Sequence, residues 1–128
     1  NDRILVAEGY DSVKGDYFYR PIGGGIEFGE LSKTTLIREI REEIQAEITN
    51  ISFLGTVENL FTFNGRTGHE IVMVYEAEFV DSTFYQKDRF NGIEDDGSIF
   101  KLYWKPLREF QQGKLRLVPE GLLELIKK

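Results

Sequence analysis

The stretch from Gly24 to Ala46 reads GGIEFGELSKTTLIREIREEIQA. Its second half has helical periodicity, with Leu36, Ile37, Ile40 and Ile44 on one stripe and Ser32 placed as the N-cap of a helix over 33–46. At about 100° per residue, Glu39, Glu42 and Glu43 occupy roughly 100° of arc beside that stripe. Side chains three and four apart on a helix have Cβ atoms about 5–6 Å apart, so their carboxylates can converge on one hard cation. Without a cation, like charges at that spacing destabilise the helix by some tenths of a kcal/mol per pair. Taken alone, the helix also reads as an ordinary solvated face with Arg38 and Glu42 paired. The preceding loop argues for the first reading. Gly23-Gly24-Gly25, followed by Glu27 and Glu30, is not needed to start a helix, whereas glycine lets a backbone approach a ligand closely. No dinucleotide fingerprint or P-loop fits: Gly113-Lys114 is followed by Leu115, where a P-loop needs Ser or Thr.

Outward from this stretch, the pattern alternates between strands and turns. Strands are predicted over 3–8, 17–20, 51–63, 69–80 and 99–105, with a loop over 9–16 and a hairpin turn at Asn64-Gly65-Arg66-Thr67-Gly68. Residues 81–98 read as a long polar loop, a kind of segment that usually carries function. Leu107 to Gln112 reads as one helical turn, and Pro119 opens a C-terminal helix through Leu122, Leu123, Leu125 and Ile126. These elements make an α/β sandwich with two main helices, expected as a single domain over 1–128. A hairpin normally has a strand before it, so a strand preceding Asn1 is expected to be missing from this chain.

The 128 residues suffice for one core, and an apolar share of 41% with ten Phe is a globular composition. A net charge of −6 is a poor match for a nucleic-acid backbone, so no nucleic-acid partner is expected. An anionic substrate would need positive charge from elsewhere, and a divalent metal is the obvious source. The absence of cysteine excludes disulfide scaffolds, zinc ribbons and thiol nucleophiles. No apolar run has membrane-spanning length and no signal-peptide pattern is present, so a cytoplasmic location without membrane attachment is the expectation.

The Gly24–Ala46 segment resembles the Nudix box, G-x5-E-x7-R-E-U-x-E-E-x-G-U, where U is a bulky aliphatic residue. Gly24, Glu30, Arg38-Glu39, Ile40 and Glu42-Glu43 all match at the required spacing. Two positions depart: Gln45 replaces the glycine that ends the helix as a left-handed cap, and Ala46 is smaller than usual. Gln45 therefore allows the helix to extend through Glu47. Trp104-Lys105-Pro106-Leu107 and the tail from Pro119 to Leu123 are also similar to the family's ending.

The resemblance implies a Nudix-type α/β/α sandwich with a mixed β-sheet and, as in the family fold, a strand ahead of residues 3–8. It implies Mg²⁺-dependent hydrolysis of a pyrophosphate bond in a nucleoside diphosphate linked to another moiety, with Mn²⁺ as a substitute. By residue-wise carry-over, Glu39, Glu42, Glu43 and the Gly24 carbonyl hold metal. Arg38 is placed with these glutamates in the catalytic set, and Glu30 and Arg38 orient the carboxylates. The competing reading is a catalytically idle Nudix domain that senses a nucleotide; such domains usually lose a box glutamate, and none is lost here.

Outside the box, Glu94, Asp95 and Asp96 are candidates for a further ligand or base. Arg20, Phe84, Tyr85 and Phe90, with Lys87 and Arg89, are candidates for the phosphates and the base. His69 reads as a solvated strand end. No proline or tyrosine lies between Glu47 and His69, so the family's usual markers for ADP-ribose and for diadenosine polyphosphates are both missing, and the signatures associated with NADH and coenzyme A cleavage are absent as well. ADP-ribose, a modified nucleoside triphosphate and a nucleotide sugar all remain open. The partner expected is a small nucleotide, and a homodimer is compatible with the sequence.

Overall fold

The computed structural model describes residues 2–126. Strands β1 (Arg3–Asp11) and β2 (Asp16–Arg20) form the first hairpin. The long helix α1 (Ser32–Ile44) follows, then β3 (Ile48–Phe63) and β4 (Arg66–Phe79) as a second, longer hairpin. Strands β5 (Arg89–Ile93) and β6 (Ile99–Pro106) precede two short helices, α2 (Leu107–Gln111) and α3 (Leu122–Ile126).

One sheet has the order β2-β1-β6-β5, and β3-β4 form a second sheet of their own. All these pairs are antiparallel; the parallel component is a single bridge from Tyr19 to Leu117. Alternation along β1 and β6 sends side chains to both faces of the four-stranded sheet. Ala7 and Leu102 pack against Ile40, Ile44 and Ala46 at α1. Val6 and Tyr19 pack on the other side against Phe110 and the half-buried Leu115, Leu117 and Leu123. These are the α/β/α layers expected, except that the second helical layer is divided between two five-residue helices. Between the two sheets lies a groove of about 1350 Å³, lined by β4 from Glu70 to Phe79, the loop after β2 and part of α1. Among the described residues no helix is long and apolar enough to cross a membrane.

Several local expectations are corrected. Ser32 is the first helical residue and Leu31 the N-cap; the Ser32 hydroxyl meets the Tyr75 hydroxyl of β4 at 2.5 Å instead of capping the helix. The helix stops at Ile44 and does not reach Glu47. Gln45 takes the left-handed conformation itself (φ 56°, ψ 41°) and its N–H donates to the Arg41 carbonyl at 2.9 Å. The turn positions Ala46 to enter the core, and Glu47 pairs with Arg41 at 2.7 Å.

β1 runs on to Asp11 because the Asp11 carboxylate organises a tight turn, accepting the N–H groups of Val13 and Lys14 at 3.0 Å each. β3 begins at Ile48, three residues earlier than predicted, because Asn50 at φ 53° and an irregular register before Gly55 break the alternation there. The expected loop over 81–98 contains a 3-10 helix, Ser82–Gln86, and strand β5, whose short run hides its pairing with β6.

Candidate functional site

Arg38 organises the acidic face of α1. Its Nε and Nη2 donate to the two Glu30 oxygens at 2.8 and 2.9 Å, a bidentate pair between the helix and the preceding loop. Nη1 reaches Glu39 at 3.1 Å and Glu42 at 3.3 Å, and Nη2 reaches the Gly25 carbonyl at 3.4 Å. Glu30 also accepts the Thr35 hydroxyl at 2.7 Å. Arg38 first, then Thr35, hold the Glu30 carboxyl down to about 2, and Glu30 in turn pushes the Arg38 guanidinium above its ordinary range. Both groups stay charged at any working pH, so the clamp is permanent. Thr35 was not singled out from the sequence. It lies three and four residues ahead of Arg38 and Glu39, on the same helix face, and that spacing is the signal that could have found it.

Beside the clamp, Glu39 and Glu43 are 6% and 8% exposed. Burial comes first in raising Glu43 to about 8, followed by a hydrogen bond with Glu39 and the charges of Glu39 and Glu94; Arg20 acts in the opposite direction. Gly24 lies directly against this pair: a Cβ built there would overlap the Glu39 carboxyl group. The triple glycine thus has a steric reason at its central position, close approach of loop backbone to a buried carboxylate.

Of the loop acids, Glu94 joins this site and pairs with Arg20 at 3.4 Å. Asp96 is directed at its own turn, accepting the Ser98 N–H and hydroxyl, and Asp95 is exposed. Phe84 is buried in the core, stacked on Phe79, and the half-buried Phe90 packs against the same cluster. Lys87 lies over both rings. Tyr85 is more exposed and lines the groove, where its hydroxyl accepts the Phe79 N–H at 2.8 Å. His69 pairs with Glu58 across the second hairpin at 2.8 Å, exposed and outside this assembly.

The donor set suits a hard divalent cation: two buried carboxylates, a third on the same helix, and glycine backbone pressed against them. The carboxylates are not drawn together around one point. Among the described residues no three acidic or histidine side chains form a group that could hold a metal. The cause is visible in Glu42, which is half exposed and turned to Arg38. Its side chain would have to leave that pair to join Glu39 and Glu43.

A family model described as NUDIX domain matches residues 1–126. The chain is 28% identical to the NAD-capped RNA hydrolase NudC of Pseudomonas aeruginosa over 94 residues, 73% of this chain and 30% of that protein. It is 29% identical to the putative mutator protein MutT4 of Mycobacterium tuberculosis over 86 residues, 67% of this chain and 32% of that protein. The chain thus spans less than a third of the length of these relatives. Among solved structures, the solution structure of the E. coli ORF135 protein superposes with a TM-score of 0.52 at 19% identity, covering 98% of this chain and 77% of that one. That likeness concerns the fold.

Proposed function

The chain belongs to the Nudix family, and from that premise we propose that it hydrolyses a pyrophosphate bond in a nucleoside diphosphate linked to another moiety. Mg²⁺ is the proposed cofactor, with Mn²⁺ as a substitute. The observation that carries this reading is the Glu39–Glu43 pair. Two neighbouring carboxylates buried without a bonded cation at Glu43 are costly unless a proton or a metal ion joins them. Retention of all four box glutamates, Glu30, Glu39, Glu42 and Glu43, favours the hydrolase over an idle sensor domain.

Glu39, Glu43, Glu42 and the Gly24 carbonyl would hold the ion. When bound there, a divalent cation neutralises substrate charge and lowers the pKa of a coordinated water. The chain's own residues do the rest. Arg38 and Glu30 fix Glu39 against Gly24. Arg20 faces the groove and neutralises phosphate charge, and Tyr85 covers the nucleoside from the same groove. The proton leaving the attacking water goes to a carboxylate of the set, Glu43 or Glu94. Phe84 and Phe90 act from behind, as the packing that holds the Tyr85 segment in place.

The NudC relatives are named for NAD-capped RNA, whose cap contains a nucleoside diphosphate joined to a second nucleoside. This is the bond class proposed here, and the relatives' name is the reason to assay NAD, whose signature the sequence lacks, together with ADP-ribose, modified nucleoside triphosphates and nucleotide sugars. Purified protein should release a nucleoside monophosphate from at least one member of such a panel with Mg²⁺, and release should stop in excess EDTA. Undiminished turnover in EDTA contradicts the metal assignment; binding of a nucleotide with no turnover under any divalent ion favours the sensor.

A further inference from the structure

Arg20 and Glu94 come from opposite edges of the four-stranded sheet. Arg20 closes β2, opposite Ala7 of β1, and Glu94 follows the last residue of β5. Strands β1 and β6 lie between them, and the register sets Arg20 level with Phe90, four residues before Glu94. Only the length of the arginine lets Nη2 come within 3.4 Å of Glu94 Oε2. The pair lies near the helix carboxylates, because β5, which Glu94 follows directly, packs on α1 through Phe90 beside Ile40 and Ile44.

The bond is a weak one. It is long, and the two side chains are 40% and 37% exposed; solvent screening leaves such a pair little strength. A guanidinium gripping a phosphate bidentately is shorter and stronger. Arg20 also lines the groove with Gly23, Gly24 and Gly25, so an anion entering there meets it. Glu94 can let go without a backbone change, because its N–H donates to the Ser98 carbonyl and its carbonyl accepts the Gly97 N–H, both at 2.9 Å.

We infer that Glu94 is a built-in counter-ion for Arg20, displaced by the diphosphate of an incoming nucleotide and thereby released toward the Glu39–Glu43 pair. The inference rests on the proposed hydrolase reading and adds a coupling to it. Arg20 capturing the anion and Glu94 becoming available are one event, because a single ion pair is broken for both. In the free protein Glu94 is a positioning residue: it holds the arginine extended across the sheet end.

The test is ADP binding by calorimetry in excess EDTA, with wild type, Glu94→Gln, Arg20→Met and the double variant. Glu94→Gln should tighten ADP roughly three- to tenfold by freeing the arginine, and Arg20→Met should weaken it about tenfold or more. In the Arg20→Met background, Glu94→Gln should change affinity less than about twofold. Equal tightening in both backgrounds would mean only that a negative charge has been removed from the neighbourhood, and overturns the proposal. So does no tightening in the single variant, or no ADP binding in any form. Arg20→Lys, which keeps the charge and loses the fork, should fall between wild type and Arg20→Met and serves if the methionine variant is unstable. Metal-dependent turnover is read separately, so the hydrolase reading can fail or stand independently of this result.

Discussion

At the scale of single residues, two carboxylates of one site titrate in opposite senses. Glu43 holds its proton more tightly folded, at about 8, than at its ordinary 4.5. Its contribution to stability is full below about pH 4.5 and is lost as pH rises to about 8. Glu30, held at about 2, contributes above about pH 4.5 and loses that contribution as pH falls toward 2. In EDTA the melting temperature should therefore fall on the alkaline side of about pH 5, and Glu43→Gln should flatten that limb while leaving the acid limb in place. Equal slopes in the two proteins would contradict the raised value. Gly24→Ala is the steric counterpart. The methyl would occupy the space of the Glu39 carboxyl group, so turnover should fall by about two orders of magnitude, the scale of losing one transition-state contact. Wild-type kcat in that variant would remove Gly24 from the site. Glu39, Glu42 and Glu43 were legible in the sequence because their spacing is a helix-face pattern, whereas the roles of Arg38 and Glu30 came from the resemblance to the Nudix box. The Arg38–Glu42 pair was legible too, as an i,i+4 spacing, but the burial of Glu39 and Glu43 beside it was not, because it depends on Gly24 and the loop before the helix closing over them.

At the scale of elements, the sequence located α1 and missed both of its ends. Periodicity reports which face is buried, whereas helix ends depend on single backbone conformations. Gln45 in the left-handed region illustrates this, and it yields a prediction. Gln45→Gly should stabilise the protein by up to about 1 kcal/mol, since glycine adopts that conformation without a Cβ clash; a lower urea midpoint would contradict it. The 81–98 segment was harder to read. Its polar composition masked a 3-10 turn and an edge strand whose partner, β6, lies later in the chain. Its aromatics also divide by role. Phe84→Ala should cost about 3 kcal/mol, within the range for truncating a core phenylalanine. Tyr85→Ala, on the groove wall, should instead raise KM for the nucleotide several-fold with kcat nearly unchanged. Urea melts and initial-rate kinetics separate the two, and an unchanged KM would take Tyr85 off the nucleotide.

At the scale of the whole molecule, the two sheets share no backbone ladder among the described residues and are joined by side chains. Near the tip of the second hairpin, the Asn64 N–H donates to Asp11, and the Asn64 side-chain oxygen accepts the Ser12 N–H at 2.7 Å and the Ser12 hydroxyl at 3.0 Å. At the opposite end, Tyr75 of β4 touches Ser32 of α1. The second tie lies on the groove that Gly24 and Arg20 also line. Composition and strand pattern were enough to anticipate the layered α/β architecture, because the continuous apolar run Ile4-Leu5-Val6-Ala7 puts apolar side chains on both faces of its strand, and both must be covered. The relative placement of two hairpins was not readable, because it depends on a few long-range polar contacts with no local signature. Asn64→Ala should loosen that junction and lower stability by about 1–2 kcal/mol, read as a drop in the thermal midpoint; an unchanged midpoint would show that the hairpin is held by packing alone.

The buried Glu39–Glu43 pair is proposed as a cation site serving hydrolysis. Glu43→Gln, which keeps size and removes charge, tests it in one paired measurement of turnover with Mg²⁺ and of the melting temperature with and without Mg²⁺. The variant should be as stable as wild type or more so in EDTA, gain less melting temperature from Mg²⁺, and lose about two orders of magnitude or more in kcat. Wild-type turnover together with a wild-type response to Mg²⁺ would contradict the account.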